Sequence, residues 1–515
     1  MKRKGIILLA LLAGFCFGGL HLPDSAEAAS KVKIDKKHFP GGVFREYVRS
    51  FDKNNDGYLS NKERDAVKRI DLDNGEFPHN EEISEAPIAN MKGLGYFQQT
   101  EELNIEGYRL KNLEFGSLKK VQKIRLCRCR KIDRKKSDGT YDFTKNKRLE
   151  DVFLFQIGSI VDKIQFAENN KIRKFDLRVP SRLRKLDLRQ LTQVEELGIT
   201  WGKVLESIDL RKCVRLKKAD IGNNKKLKNL DFSNNPDLEE LMVTCNNKLK
   251  SMNLSKNTKL KCLWIYYNDL SDLDVSQNKE LQELNCSHNL FETLDISMLK
   301  KLRDFECRGS KLKELDLVGN RELESLDCRN NQLEILDLSM NKKLRSVDCS
   351  ANPIGKLDIS MLLELDRLRC DYAMLADLDI SQNKKLASLS CRGNRISFME
   401  WPESLKELQG TQWIDDMQKT QLLPLADGAV DDGISIDKEH FPDYALRYEV
   451  LADFDTNHDG VLSEKEALAK RVLKLRKFDS SLRKEIDCTG MEYLKGITEV
   501  MVARDTTLIN NIFQK

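Results

Sequence analysis

Apolar residues recur along residues 281–398 at a fixed step of 21. Leu281, Leu302, Leu323, Leu344, Leu365 and Leu386 keep one register. Leu284, Phe305, Leu326, Val347, Leu368 and Leu389 keep a second, and Cys286, Cys307, Cys328, Cys349, Cys370 and Cys391 a third. A second half-unit runs through Leu294, Leu315, Leu336, Leu357 and Leu378, each followed by Asp and an aliphatic residue. The repeating pattern is L-x-x-L-x-C-x-x-N-x-L-x-x-L-D-[IL]-S. Upstream the cysteine slot is filled by Ile265, then by Val243, Ile221 and Ile199 at steps of 22. It continues more loosely through Leu177 and Leu154, with Leu126 and Ile105 as possible first turns. Cys therefore stands in for an aliphatic residue at an inward position.

Two leucines three apart, with an inward residue two further on, suit a short strand whose alternate side chains face inward. One such turn cannot bury its own apolar face, so turns must stack and share a core. About 13 turns at about 4.8 Å each would make a solenoid about 60 Å long. Asn289, Asn331, Asn352 and Asn394 follow the strand, where their amides can satisfy backbone groups as the chain turns inward. The cysteine column is expected to hold free, buried thiols. Stacked strands hold equivalent Cβ atoms about 4.8 Å apart and parallel, whereas a disulfide needs about 3.8 Å and converging vectors.

Composition narrows the reading. At 515 residues the chain is too long for one compact core, and 87 basic against 82 acidic residues give only +5. That balance argues against nucleic acid as a global partner, and no specific nucleic-acid binding is expected. Lys119–Lys136 is the basic exception, with only Asp133 against it. It can be read as an anion site or as a solvated outer loop. Beside the cysteine column, Glu306, Asp327 and Asp348 form one outward column, and Arg308, Arg329 and Arg392 the next, with Arg369 beside them. These seven residues are the candidate ligand face; they either read a ligand or pair with one another across turns.

At the N-terminus, Lys2-Arg3-Lys4, the apolar run Gly5–Leu20 and Ala26-Glu27-Ala28 have the order of a secretory signal peptide over residues 1–28. The mature chain is expected to begin at Ala29. No second run of spanning length and no sortase-type tail is found, so no transmembrane span is expected in the mature chain.

Two twelve-residue segments carry chemistry. Residues 52–63 read D-K-N-N-D-G-Y-L-S-N-K-E, and residues 455–466 read D-T-N-H-D-G-V-L-S-E-K-E. Both match the EF-hand loop at each ligand position. Asp52, Asn54 and Asp56 offer side-chain oxygens, Tyr58 its carbonyl, Ser60 a water-mediated contact and Glu63 a bidentate carboxylate. Asp455, Asn457, Asp459, Val461, Ser463 and Glu466 repeat these roles. Gly57 and Gly460 allow the sharp bend. Hard oxygens in this number favour Ca²⁺. Helical spacing in Val43–Phe51 and Tyr444–Phe454, and again after each loop, frames both segments. The lead-ins Ile34-Asp35-Lys36-Lys37-His38-Phe39-Pro40 and Ile436-Asp437-Lys438-Glu439-His440-Phe441-Pro442 match as well, so one module occurs twice. After the second loop, Leu494-Lys495-Gly496-Ile497 reads as an echo of Met91-Lys92-Gly93-Leu94.

The 21-residue unit with Cys in the inward slot resembles the repeats of internalin-like surface proteins of Gram-positive bacteria, strongly over 258–398 and more weakly back to about residue 100. The loop modules resemble EF-hand units beside leucine-rich repeats in surface proteins of gut Firmicutes. The resemblance implies an α/β solenoid of leucine-rich repeats, with parallel strands on one face and small α-helical EF-hand modules. The expected organisation is an EF-hand module at 31–75, repeats at 100–402, a cap and linker at 403–433, and a second EF-hand module with the start of a further repeat at 434–515. The expected function is recognition or adhesion, with a protein or glycan ligand on the solenoid face, in a secreted or surface-located chain. A dockerin-like scaffold is the alternative. An enzyme is not expected: no serine elbow, zinc helix, phosphate loop or catalytic Cys–His pair is present.

Overall fold

The computed structural model describes residues 31–75, 86–132, 139–157, 161–179, 182–391, 394 and 396, and parts of 434–509 (434–436, 440–441, 446, 450, 454, 461–469, 471–474, 485–497, 499–501 and 507–509). Its main element is a 15-stranded sheet in which neighbours are successive turns of the chain. The sheet runs from Arg69–Asp73 to Ser388–Ser390 with parallel pairing throughout. It thus begins earlier than the repeat register indicates, within the span assigned to the first loop module.

Register follows the sequence repeat. Leu284 lies opposite Phe305, Phe305 opposite Leu326, Leu326 opposite Val347, and so on to Leu389. These residues and the cysteine column are buried in one core. Each turn leaves the sheet through a residue with positive φ: Cys245 (56°), Tyr267 (57°), His288 (56°), Gly309 (64°), Asn330 (56°) and Ala351 (54°). The left-handed residue swings the chain inward. The asparagine that follows then closes the bend. Asn331 Nδ2 donates to the carbonyls of Cys307 at 3.0 Å and Cys328 at 2.9 Å, while its Oδ1 accepts from Leu312 N at 3.2 Å.

A second asparagine ladder lies at the far side of each turn, and the sequence reading missed it. Asn341 Nδ2 donates to the carbonyls of Leu317 (3.0 Å) and Asn320 (2.9 Å). Asn257, Asn278, Asn320 and Asn383 make the same contacts. Its signal was the S-x-N pattern at Asn257, Asn278, Asn341 and Asn383, with leucine at the same place in Leu299 and Leu362.

The returning arms correct the α/β expectation. Among the described residues of the solenoid they are turns, short strands and two 3-10 turns, at Leu94–Tyr96 and Phe115–Ser117. The L-D-[IL]-S segment bends at its aspartate: Asp295 Oδ1 accepts from Ser297 N at 2.9 Å, and Asp337 from Ser339 N at 2.9 Å. Such aspartate turns leave too few residues for a helix before the next strand. Down one flank, Glu280–Lys301, Glu322–Lys343 and Glu364–Lys385 each close to 2.6 Å. Exposed pairs of this kind contribute only about 0–1 kcal/mol each, so they favour stacking in register more than they hold it.

The segment ahead of the sheet shares its core. Phe39, Phe44, Val48 and Leu59 belong to the same buried cluster as the repeat leucines. Helices Gly42–Arg49 and Asn61–Ala66 frame the first loop, and Asp71 N in the first strand donates to Tyr47 Oη at 2.8 Å.

The second module has its own core, including Phe441, Leu446, Val450, Phe454 and Leu462. Val472–Lys474 pairs with Glu499–Met501 and Glu485–Asp487 with Thr507–Ile509, both parallel. The first module pairs Arg69–Asp73 with Glu102–Glu106 and Ile88–Asn90 with Arg109–Lys111 in the same way. Gly93 and Gly490 have φ of 99° and 100°, and in each case an added Cβ would strike the ring of the nearby Phe39 or Phe441. The echo of Met91-Lys92-Gly93-Leu94 is therefore Cys488-Thr489-Gly490-Met491, six residues upstream of Leu494-Lys495-Gly496-Ile497. A repeated Lys-Gly pair had masked the glycine that the turn requires.

Candidate functional site

The outward residues of the sheet form a central column through strict register: Arg125, Phe153, Asp176, Gly198, Asp220, Met242 and Trp264, then Asn285, Glu306, Asp327, Asp348 and Arg369. Alternation along each strand turns these side chains away from the core.

The lower half contains the expected ligand face. Glu306 accepts from Asn285 Nδ2 at 2.7 Å. Arg308 reaches Asp327 at 3.5 Å, and Arg329 reaches Asp327 at 3.3 Å and Asp348 at 3.2 Å. Arg369 stands 3.8 Å from Asp348. Arg392 lies outside the described residues. Burial pushes the Asp327 carboxyl up to about 6, against the pull of Arg329 and Arg308. Arg308, Arg329, Asp327 and Asp348 thus pair with one another across turns.

The upper half was not singled out from the sequence. There the column borders a groove of about 410 Å³. Arg125 stacks over the Phe153 ring at 4.4 Å, and Arg178 over the same ring at 5.5 Å. Arg178 also holds Asp176 in a two-pronged contact at 2.9 and 2.8 Å. Following the outward register beside the inward one would have found these residues. The basic run Lys119–Lys136 is not one patch: Arg125 lies on this face, Arg128 is buried, and 133–138 lie outside the described residues.

The first loop is fully described. Asp52 Oδ1 accepts from Asp56 N at 3.2 Å and Oδ2 from Gly57 N at 2.9 Å. Asn54 Oδ1 accepts from Asp56 N at 3.1 Å, and Asp56 Oδ1 from Tyr58 N at 2.8 Å. Positive φ at Asn55 (57°) and Gly57 (79°) makes the bend. Glu63 is drawn into a reciprocal helix cap: its Oε2 accepts from Ser60 N at 2.9 Å and Ser60 Oγ at 2.7 Å, its Oε1 from Lys53 N at 2.8 Å. Burial raises its pKa, but these bonds outweigh it and leave the carboxyl below its ordinary value. Lys31 Nζ sits 2.8 Å from Asp56 Oδ2 and lowers that pKa too. The donors are thus the hard oxygens a Ca²⁺ ion takes, held by backbone N–H groups and one ammonium. Among the described residues no three His, Cys, Asp or Glu side chains converge on a common point.

In the second loop, Ser463 and Glu466 repeat the reciprocal cap at 2.9–3.3 Å. Val461 lies in the strand Val461–Leu462. Asp455, Asn457 and Asp459 lie outside the described residues, as does the whole of residues 1–30 with the expected signal peptide. No helix among the described residues is long and apolar enough to cross a membrane.

All twelve described cysteines are free. Burial pushes the thiols of Cys286, Cys307, Cys328, Cys349 and Cys370 far up, and that of Cys391 to about 12.

Among solved structures, the functional domain of InlJ from Listeria monocytogenes, described as including a cysteine ladder, superposes with a TM-score of 0.57. It is 22% identical, over 74% of this chain and 80% of that one. The fold is the leucine-rich-repeat solenoid. An internalin (InlF) from Listeria monocytogenes matches at 16% identity and TM-score 0.46, over 74% of this chain and 96% of that one. The leucine-rich-repeat protein LIC12759 from Leptospira interrogans matches at 19% and 0.48, over 69% and 96%. No protein-family model matches the sequence, and no curated protein matches it.

Proposed function

We propose that this chain is an exported recognition protein whose solenoid face binds a macromolecule, a protein before a glycan, at a cell surface. One observation carries the reading. The sheet offers a column of outward, mostly polar and aromatic side chains, and its upper half contains a groove lined by Phe153, Arg125 and Trp264. Large rigid aromatics and arginines are the residue types that carry most binding energy in protein interfaces. The self-paired lower half, around Asp327, serves as a rigid flank.

The flanking loops are proposed Ca²⁺ sites that fix the ends of the fold. Asp52, Asn54, Asp56, the Tyr58 carbonyl, Ser60 and Glu63 would hold the first ion. The ion supplies a charge that neutralises the gathered carboxylates. To bind it, Glu63 must leave the N–H groups of Ser60 and Lys53, and Lys31 must release Asp56. The exit helix Asn61–Ala66 leads into the first strand of the sheet, so the ion would tune the first turn.

The test is capture of surface-labelled cells by the mature chain, compared with a Phe153→Glu/Trp264→Glu variant. Capture lost in the variant supports the reading. Equal capture by both contradicts it.

A further inference from the structure

The central column has one glycine among its outward residues from Arg125 to Arg369. Gly198 lies between Asp176 and Asp220 on the neighbouring strands. A Cβ there would lie 2.9 Å from Asp176 Cγ and 3.0 Å from both of its oxygens, so Asp176 leans over the gap. Gly198 thus leaves a notch whose walls, Asp176 and Asp220 two strands apart, stand about 10 Å from each other. Phe153 closes one end, and Met242 with Trp264 the other.

The charges in this groove do not cancel. Asp176 is held by Arg178 at 2.8 Å, Glu196 by Lys174 at 2.9 Å and Glu240 by Lys218 at 2.7 Å. Asp220 has no ion pair among the described residues. It is half-buried, and burial raises its pKa against the pull of Arg178. A carboxylate short of water and of a counter-charge favours an incoming cation.

We propose that the Gly198 notch receives the cationic side chain of an arginine or lysine from a protein ligand lying across the sheet. This rests on the recognition reading above and names the chemistry of its partner. A metal ion is a poor fit, since a hard cation needs six or more oxygens and only Asp220 and Asp151, on strands that are not neighbours, carry carboxylates without an ion pair among the described residues. A guanidinium fits better. It can donate two hydrogen bonds to a carboxylate while its plane rests on an aromatic ring. The chain does the same within itself, where Arg178 grips Asp176 and lies over Phe153. The groove volume of about 410 Å³ accommodates such a side chain with part of its backbone.

The experiment titrates the full mature chain with hexa-arginine, hexa-lysine and hexa-glutamate peptides in a calorimeter. Hexa-arginine and hexa-lysine should bind and hexa-glutamate should not. Asp220→Asn, which keeps the shape, and Gly198→Leu, which fills the notch, should each weaken binding by about tenfold. Asp327→Asn, in the self-paired half of the same column, should leave it unchanged. The proposal is overturned if no basic peptide binds, or if all four proteins bind alike. If cell capture depends on Phe153 and Trp264 but not on Gly198 or Asp220, the notch fails while the recognition reading stands. Capture that ignores all four residues removes both.

Discussion

Leu59 lies opposite Val32 in a two-residue antiparallel bridge, and Leu462 lies opposite Ile434 in the same way. In a paired EF-hand the residue at this loop position bridges to a second loop. Here the lead-in strand of the same module takes that place, so a single loop need not wait for a partner. The sequence showed both lead-ins and both loops but not that they pair.

The proposed calcium binding makes the first prediction. Calorimetry of the mature chain should find two sites, with affinity of about 10⁻⁴ to 10⁻³ M as in extracellular modules. Glu63→Gln and Glu466→Gln should each remove one. Lys31→Ala should tighten the first site a few-fold, because the ammonium no longer competes for Asp56. With free ion at about twenty times Kd, each site adds roughly 1.8 kcal/mol, so chelation should lower the melting temperature. Melting curves that ignore both chelator and the glutamine substitutions would remove calcium from the account.

The cysteine column predicts a thiol count. Denatured, unreduced protein should alkylate at nearly every ladder cysteine, and folded protein at almost none. Cys328→Asp places a charge in a fully buried slot and should cost more than about 4 kcal/mol. Peptide mapping that recovers a Cys307–Cys328 bridge would contradict the free-thiol column.

Asp327 predicts a pH effect of definite sign. Its folded pKa, about 6, lies above the ordinary value of 3.8. The folded state therefore holds a proton that the unfolded state has lost, and this group's contribution to stability falls as pH rises from about 4 to 6. The effect is at most about 3 kcal/mol. Asp327→Asn removes it, so the variant should gain on the wild type as pH rises through that window. A constant difference in melting temperature from pH 4 to 7 would show that Asp327 titrates normally.

Asn331 serves four backbone groups at once, the Arg329 carbonyl at 3.4 Å being the most distant. Asn331→Ala leaves three carbonyls and one N–H without that partner, and should cost roughly 2–4 kcal/mol in chemical denaturation. A loss below about 0.5 kcal/mol would mean that water replaces the ladder.

Much of this fold was legible because its period is strict. The inward columns, the cysteine slot and the first asparagine ladder all follow from counting 21 residues between Leu284 and Phe305 or between Cys286 and Cys307. The returning arms were misjudged because a turn held by Asp295 and Ser297 leaves no apolar periodicity to read. The start of the sheet was hidden as well. Arg69–Asp73 has no cysteine-slot repeat ahead of it, and it is tied to Tyr47 of another element through Asp71 N. On the binding face, charge columns were easy to see at Asp327 and Asp348, yet these are satisfied by neighbours. Gly198 and Phe153 stand out only once pairing places them between charged rows.

The central claim is that the outward column around Phe153 and Trp264 is the recognition surface. The most direct measurement is footprinting of the mature chain on the cells it captures, by hydroxyl-radical labelling with and without cells. Protection should centre on Phe153, Met242 and Trp264 and leave the opposite side, at Ile335, as reactive as in the free protein. Protection at Ile335 with the groove fully labelled would contradict the account.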